Sequence, residues 1–307
     1  MPTVNKTTRS ALSGLIPTAV AKLIIDDMQK ISFVAQGLGL ERMTGSSENS
    51  VFLDSAIEPE WVDEDFGEKP TSSISSRSTP LKAEELATIL IISDNTLRDV
   101  NGDIVAAIRK LAPAAFMKKM DKTVLYGGMS GVAKPASFPD GLVKTAIARG
   151  NTIVRGTGMD LAEDVSDAMA LVEDDDYIVN IMATGGHLKA DLRGLRDADG
   201  RLLYLPNLQN SNTGNLYGEQ LLYVNNGAWD KTKAQLLLGD RDQARVAVWD
   251  SMTYKISQDA TVVDEDGVPF SAFQRDATFV RITMRLGWQV YPRDNSVFPF
   301  SVIQPPA

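Results

Sequence analysis

The feature that most constrains the fold is a polar ribbon followed by an apolar strand and a long helix, between residues 61 and 128. Five of the eight residues from 71 to 78 are serine. A ribbon of this composition cannot bury enough apolar surface to fold alone. Ile74, Leu81 and the apolar run Leu86 to Ser93 nevertheless have β character. We therefore predict a projecting hairpin arm that needs a neighbour to cover it.

A long helix is predicted after this strand, over residues 101–126. Asn101 is a suitable N-cap, and Gly127 and Gly128 end the run. Apolar residues recur between them at helical spacing: Ile104, Ile108, Leu111, Ala115, Phe116, Met120 and Val124. Such a helix is roughly 35 Å long. Pro113 lies inside it and removes one backbone hydrogen bond, so we expect a bend there.

This order of elements resembles the major capsid proteins of tailed double-stranded DNA bacteriophages, which have the Hong Kong ninety-seven type fold. The motifs that carry the resemblance are Trp61-Val62, Gly67-Glu68-Lys69-Pro70, the serine-rich arm, the strand end Ile92-Ser93 and the helix end Leu125-Tyr126-Gly127-Gly128. The resemblance implies an α+β phage capsid fold. Its expected parts are an N-terminal arm, an extended β-hairpin called the E-loop, a long spine helix, and peripheral and axial domains.

The resemblance covers about residues 15 to 303 and implies boundaries for these parts. They are the N-terminal arm 1–48 with a helix 18–36, the E-loop 49–93, the peripheral domain 94–148 and 250–292 with the spine helix 101–126, and the axial domain 149–249 and 293–307. In the peripheral domain, Phe279 to Val290 alternates between apolar and polar residues and predicts a long strand.

In the axial domain, Asp160 to Glu163 resembles a capping box and predicts a helix start. Tyr177 to Met182 predicts a buried strand, and Thr184-Gly-Gly186 opens a further helix. The tail, residues 296–303, is expected to return to the axial domain.

Charge and composition exclude several function classes. The formal net charge is -9 and the pI is about 4.8, so no overall basic field attracts nucleic acid. The absence of cysteine excludes disulfides and thiolate metal sites. No apolar run approaches the ~20 residues that span a bilayer, and the N-terminus lacks the apolar core of a signal peptide. We therefore expect no membrane partner and synthesis in the cytosol.

Catalytic and metal sites find little support in the residue pattern. His187 is the single histidine, and no Gly-x-Ser-x-Gly elbow or cysteine accompanies it. Residues 150–158 lack the Gly-Lys-Ser/Thr ending of a phosphate loop. Asp174 to Asp176 could in principle hold magnesium, and Asp164 with Glu173 could act as an acid/base pair, but acidic residues at a helix end are more typical of a solvated turn. The segment Asp264 to Asp266 lacks the downstream glutamate of a calcium loop and predicts a hairpin turn. We expect no catalytic residue, cofactor or metal.

Residues 58–68, here called the acidic segment, are expected to face solvent or a partner. Six carboxylates surround Trp61 at a spacing that matches no calcium loop. Arg77 and Lys82 across the arm are their natural partners, in the same subunit or the next. The full set of expected subunit-interface residues is Trp61, Glu68, Ile74, Arg77, Lys82, Arg281 and Arg285.

Some members of this capsid family crosslink their subunits through an E-loop lysine, an asparagine and a catalytic glutamate. In an ungapped comparison these positions fall on Ser78, near Asp276 and near Thr283. None of the three has the required side chain. We therefore expect no isopeptide crosslink.

The resemblance implies a structural protein that self-assembles into an icosahedral shell around the phage DNA. The expected partners are further copies in pentameric and hexameric capsomers, a portal and a separate scaffolding protein, with DNA enclosed without sequence-specific binding. The expected location is the virion, after assembly in the host cytoplasm. One alternative is an encapsulin, a bacterial compartment with the same fold. A soluble α+β enzyme is the other, which the lack of a catalytic constellation disfavours.

Overall fold

Two long antiparallel pairings form the centre of the first sheet. In the computed structural model, β14 (Ala277–Val290) pairs with β4 (Ser76–Ser93) on one side and β11 (Ala244–Ser257) on the other. The structure describes residues 6–7, 32–53, 61, 71, 76–99, 104–158, 160–196, 201, 204–206, 213–263, 267–293 and 296–306. The remaining strands of this sheet are β1 (Lys6–Thr7), β2 (Leu40–Arg42) and β3 (Ser47–Leu53).

The predicted alternation along β14 is confirmed. Its apolar face is buried and comprises Val280, Ile282, Met284, Leu286, Trp288 and Val290. Helix α2 (Ile104–Tyr126) packs across this face, because Phe116, Met120 and Val124 belong to the same buried cluster as the strand residues. The predicted long helix therefore lies on the predicted long strand, and Pro113 is inside the helix on its exposed side. Asn101 lies outside the described residues.

The second sheet has the strand order β5-β15-β10-β6-β9-β8-β7. Its strands are β5 (Thr152–Val154), β6 (Ile181–Gly185), β7 (Tyr204–Pro206), β8 (Thr213–Leu216), β9 (Glu219–Val224), β10 (Leu236–Gly239) and β15 (Phe300–Gln304). Because β15 lies between β5 and β10, the C-terminal tail returns to this sheet. A separate pair, β12 (Thr261–Val263) and β13 (Pro269–Ser271), forms a small hairpin.

Shorter helices complete the fold: α1 (Asp94–Asp99), α3 (Leu142–Arg149), α4 (Leu161–Glu173) and α5 (Lys189–Gly194). The predicted cap of α4 is confirmed, since the Asp160 carboxylate accepts hydrogen bonds from the backbone N–H groups of Ala162 and Glu163 at 2.9 and 3.0 Å. Helix α1 has no counterpart in the predictions. Among the described helices, none is both long and apolar enough to cross a bilayer.

Two predicted strand boundaries are wrong. Strand β4 begins at Ser76 rather than Leu86, because pairing with β3 keeps the polar ribbon extended even through Pro80. Strand β6 covers Ile181–Gly185 rather than residues 177–182, because hydrogen bonding to β9 and β10 selects the later residues, all of them buried.

The predicted N-terminal helix is described only at its end, since residues 18–31 lie outside the described ranges. A π-helical segment, Val34–Leu38, ends at Gly39 with φ of 79°, two residues after the expected stop at Gly37. Gly37 is instead a packing position, where an added Cβ would lie 2.7 Å from the Ile181 side chain. The domain boundary predicted at 249/250 falls inside strand β11.

Candidate assembly surface

The projecting part of the molecule is the antiparallel ladder between β3 and β4. It runs from the pair Ser47 and Lys82 to the pair Leu53 and Ser76. From Ala83 onward, β4 pairs with β14 instead, so the ladder extends beyond the body of the sheet. At ~3.3 Å per residue, the arm reaches roughly 20 Å from its root.

A small buried apolar cluster fixes the root of the arm, where β4 leaves the body of the sheet. Leu81 is fully buried and packs with Met43 and Ala247 in a small cluster. Gly287 on β14 lets Leu81 approach closely, because a Cβ there would lie 3.1 Å from Leu81 Cδ1. The arm therefore leaves the body from a packed and defined position.

Charged groups at the root add hydrogen bonds around this apolar cluster. The Glu48 carboxylate accepts from Thr44 N–H at 2.5 Å and from Thr44 Oγ1 at 2.9 Å, and these bonds lower the pKa of Glu48. Arg245 lies 3.6 Å from Glu48 and also pairs with Glu41. Exposed pairs of this kind contribute about 1 kcal/mol or less each, so they orient the arm more than they stabilise it.

The expected interface residues occupy different parts of the chain. Trp61 is 98% exposed, Lys82 is exposed at the root, and Arg281 is exposed on β14. The backbone of Arg77 pairs with Phe52 in the arm. Glu68 and Ile74 lie outside the described residues. Lys82 pairs with Ser47 of β3. The role of these residues between subunits stays a prediction.

Arg285 has partners within its own subunit. Its guanidinium lies 3.2 Å from the Glu85 carboxylate and stacks over the Trp249 ring at 4.8 Å from the centroid. The ion pair joins neighbouring strands, since Glu85 and Arg285 are opposite each other in the β4–β14 register. The pair therefore stabilises the contact between β4 and β14 within one subunit.

The three positions compared with the crosslinking residues have other contacts. Ser78 is exposed in the arm and pairs with Val51. Asp276 is exposed in a left-handed conformation with φ of 46°. Thr283 Oγ1 lies 2.6 Å from Thr253 Oγ1. These side chains supply no amine nucleophile and no catalytic carboxylate at the position of the base.

A buried carboxylate that the sequence reasoning missed joins three parts of the chain. Asp121 on α2 is 0% exposed. Its Oδ1 accepts from Ser32 Oγ at 2.8 Å and from Val34 N–H at 2.9 Å, and its Oδ2 accepts from Asn226 Nδ2 at 2.5 Å. Burial raises the pKa of Asp121. The sequence feature that could have revealed this buried carboxylate is an acidic residue directly after Met120, on the apolar side of the predicted helix.

The residues considered for chemistry have structural contacts. His187 Nε2 lies 3.3 Å from Gln235 Oε1, and partial burial lowers the pKa of His187. The buried carboxylate of Asp164 accepts from the N–H groups of Gly156 and Gly158, both at 2.8 Å. Asp164 therefore closes the glycine-rich turn that superficially resembles a phosphate loop.

The other acidic groups also lack the arrangement of a metal site. Asp174 and Asp176 are exposed at the turn after α4, and Glu173 is exposed as well. Asp264 to Asp266 lie outside the described residues. Within the described ranges, no three His, Asp or Glu side chains lie close enough together to hold a metal ion.

Comparison with known proteins identifies relatives of the whole chain. The model of the phage capsid family matches residues 13–298. The major capsid protein of Staphylococcus phage 80alpha is 24% identical over 273 residues, which cover 87% of this chain and 79% of that protein.

Solved structures show the same fold over nearly the full length. A chain from Microbacterium phage Oxtober96 is 31% identical, with a TM-score of 0.77 and coverage of 98% of this chain and 100% of the other. A chain from Mycobacterium phage Bobi is 24% identical, with a TM-score of 0.75 and coverage of 99% and 100%. A capsid chain of an empty GTA particle is 16% identical, with a TM-score of 0.63 and coverage of 100% and 95%.

Proposed function

Because this chain belongs to the phage capsid family, we propose that its copies close into an icosahedral shell by laying the β3–β4 arm of one subunit on the next. The chain has the role of a major capsid protein, a structural component of the phage virion. The encapsulin alternative is not favoured by these relatives, which are phage and GTA capsid proteins.

The observation that supports the arm's role is its projection from the body. A two-stranded ribbon is marginal alone in water, yet this ladder continues from its buried root at Leu81 to the pair Leu53 and Ser76. A neighbouring subunit that covers the ribbon would supply the missing burial. In a closed symmetric assembly, many modest contacts of one kind add together.

We further propose how the two sheets divide the work. The first sheet with α2 acts as the peripheral domain, and the second sheet acts as the axial domain that meets its copies around pentameric and hexameric centres. Trp61, Glu68, Ile74, Arg77, Lys82, Arg281 and Arg285 are proposed to contribute contacts between subunits. Charged residues among them set register more than affinity.

The proposed shell encloses double-stranded DNA without sequence-specific binding, in keeping with the net charge of -9. Assembly takes place in the host cytoplasm with a separate scaffolding protein and a portal. The subunit has no enzymatic activity and forms no isopeptide crosslink. The subunit would then act by binding its neighbours through complementary surfaces and not by catalysis.

Removal of the arm tests this proposal. Residues 49–80 are replaced by Asn-Gly, a dipeptide that suits a two-residue hairpin between Glu48 and Leu81. This variant keeps Leu81 in its buried cluster and Glu48 beside Arg245. We expect a soluble, folded subunit that forms no closed shells in electron micrographs.

The matched control is Ser78→Ala, which removes one exposed hydroxyl from the arm and leaves the ladder in place. It should assemble like the unmodified chain. Normal shells from the arm-deleted variant would contradict the proposed mechanism. Failure of the unmodified chain to form shells, with its scaffolding protein supplied, would contradict the proposed function itself.

A further inference from the structure

A short segment in the first part of the chain contacts both sheets and the long helix. Residues 32–43, here called the brace, contain the π-helical segment Val34–Leu38 and strand β2. The brace contacts α2 at its beginning, the second sheet in its middle and the first sheet at its end. It therefore lies where the main layers of the fold meet.

The beginning of the brace is held by Asp121 on α2. Asp121 Oδ1 accepts hydrogen bonds from Ser32 Oγ at 2.8 Å and from Val34 N–H at 2.9 Å. Ser32 Oγ in turn accepts a hydrogen bond from Ala35 N–H at 3.2 Å. Hydrogen bonds to a carboxylate are strong and directional, so these bonds fix both the position and the direction of the brace on the helix.

The middle of the brace packs against the second sheet. Gly37 is buried, and a Cβ added to it would lie 2.7 Å from Ile181 Cδ1 and 3.1 Å from Leu222 Cδ1. Ile181 lies on β6 and Leu222 lies on β9, which are adjacent strands. The backbone of the brace therefore contacts the face of this sheet with no side chain of its own between them.

The end of the brace joins the first sheet through its backbone. Strand β2 pairs in parallel with Val246 to Val248 of β11. Met43 N–H then donates to Val248 O at 2.9 Å, and the buried Met43 side chain packs with Leu81. Because these contacts continue the ladder of the first sheet, the end of the brace is fixed to that sheet.

Two of the chain crossings between the sheets lie side by side. Residues 240–243 lead from β10 into β11, and residues 291–299 lead from β14 to β15. Tyr291 N–H donates to Gln243 O at 2.7 Å, so the two crossings are bonded to each other. Adjacent crossings of this kind can bend as a hinge. Contacts away from the crossings must then fix the angle between the sheets.

Apolar packing between the sheets is extensive but does not define one angle by itself. Ile181 of the second sheet and Val246 of the first belong to the same buried cluster, together with Phe33 and Val34 of the brace. Apolar burial is non-directional, so it opposes separation of the sheets more than a change of angle. The hydrogen bonds of the brace and the close contact at Gly37 depend on one particular geometry.

We propose that the brace sets the angle between the two sheets, as a spacer that is fixed to the first sheet, contacts the second at Gly37 and is held in place by Asp121. This inference rests on the proposed shell function, since the angle determines how neighbouring subunits incline and therefore the curvature of the shell. A thicker brace at Gly37 changes the angle. A brace released from Asp121 lets the subunit sample a wider range of angles.

The variant Gly37→Leu tests the spacer directly. Gln220→Cys and Lys255→Cys introduce labelling sites at exposed positions of β9 and β11, in a chain that has no cysteine of its own. Double electron–electron resonance between nitroxide labels at these sites measures the distance between the sheets in unassembled subunits. We expect Gly37→Leu to shift the main distance away from that of the labelled chain with Gly37.

Two controls separate a change of angle from general damage. Combining Gly37→Leu with Ile181→Ala removes side-chain atoms that the added leucine would meet, so the double variant should return to the original distance. Gly45→Leu places the same side chain in the loop after the brace, where a Cβ has its nearest neighbour 3.9 Å away. It should leave the distance unchanged.

An unchanged distance in Gly37→Leu would overturn the inference, because the brace would then have moved aside without moving the sheets. Failure of Ile181→Ala to restore the distance would overturn it as well. Neither result affects the proposed shell function, which fails if the unmodified chain forms no shells. In assembly reactions, Gly37→Leu should change the size or closure of the particles. Normal particles with a shifted distance would refute the link between angle and curvature.

A second variant does not require the fold to accept a larger side chain. Ser32→Ala removes one donor to Asp121 and the acceptor for Ala35 N–H. We expect hydrogen exchange of Val34 N–H to become roughly tenfold faster. The distribution of label distances should widen about the same centre. Exchange and distances like those of the chain with Ser32 would refute the role of Asp121 in holding the brace.

Discussion

Replacement of Asp121 by asparagine should destabilise the subunit although it removes a buried charge. Asp121 Oδ1 accepts from Ser32 and Val34, and Oδ2 accepts from Asn226 Nδ2. Asparagine keeps one acceptor and replaces the other oxygen by an NH₂ group. That group would face Asn226 Nδ2, so two donors would meet in a buried place.

Asn226 cannot relieve this conflict by turning its amide. Its Oδ1 accepts from Ala228 N–H at 3.0 Å, and rotation would break that bond. One lost hydrogen bond and one buried unsatisfied donor cost about 1–3 kcal/mol. We expect Asp121→Asn to lower the free energy of unfolding by this amount, measured by urea denaturation of unassembled subunits with tryptophan fluorescence.

The exchange Asp121→Asn with Asn226→Asp provides the control. The amide introduced at position 121 would then donate to the carboxylate introduced at position 226, and that carboxylate would still accept from Ala228 N–H. We expect the double variant to recover at least half of the lost stability, a coupling that a double-mutant cycle measures. If Asp121→Asn is as stable as the unmodified chain, or if the exchange recovers nothing, the reasoning about this contact is refuted.

The pH dependence gives a further test of the same residue. Burial raises the pKa of Asp121 above its ordinary value, so the folded state binds the proton more tightly than the unfolded state. The contribution of this group to stability is therefore largest below the ordinary carboxyl range and falls as pH rises through the raised folded pKa. Asp121→Asn should lack this component, so its free energy of unfolding should change less with pH over this range than that of the unmodified chain.

Three further predictions concern the remaining fold and the shell. Asp160→Ala removes the cap of α4 and should cost about 1 kcal/mol in urea denaturation; an unchanged midpoint would contradict the cap. Gly141→Ala should cost about 1–3 kcal/mol by overpacking, because its Cβ would meet the backbone nitrogen of Gly127, whereas Gly194→Ala has open space and is the control. Purified particles should dissociate to single chains on a denaturing gel, and a covalent ladder would refute the expectation of no isopeptide crosslink.

Local sequence patterns were sufficient where one residue or one period decides the structure. The cap at Asp160 depends on a carboxylate and the first-turn N–H groups, which are neighbours in sequence. The burial of one face of β14 follows from alternation along a single strand.

Patterns failed where the partner is distant in sequence. The polar ribbon becomes strand because β3 pairs with it, and nothing in its serine-rich composition indicates that it starts at Ser76. The position of β6 depends on its pairing with β9 and β10. The periodicity of residues 177–182 gives no information about that pairing.

The sequence alone therefore determined the order of the elements, the apolar face of the long strand, the cap of α4 and the family resemblance, because each depends on neighbouring residues or on chain order. Only the tertiary structure decided that Asp121 joins three segments, that Asp164 closes the glycine-rich turn, and that Leu81 packs with Met43 and Ala247 at the root of the arm. These features bring together residues that are far apart in sequence. Their geometry is set by packing between elements, and a one-dimensional pattern carries no record of it.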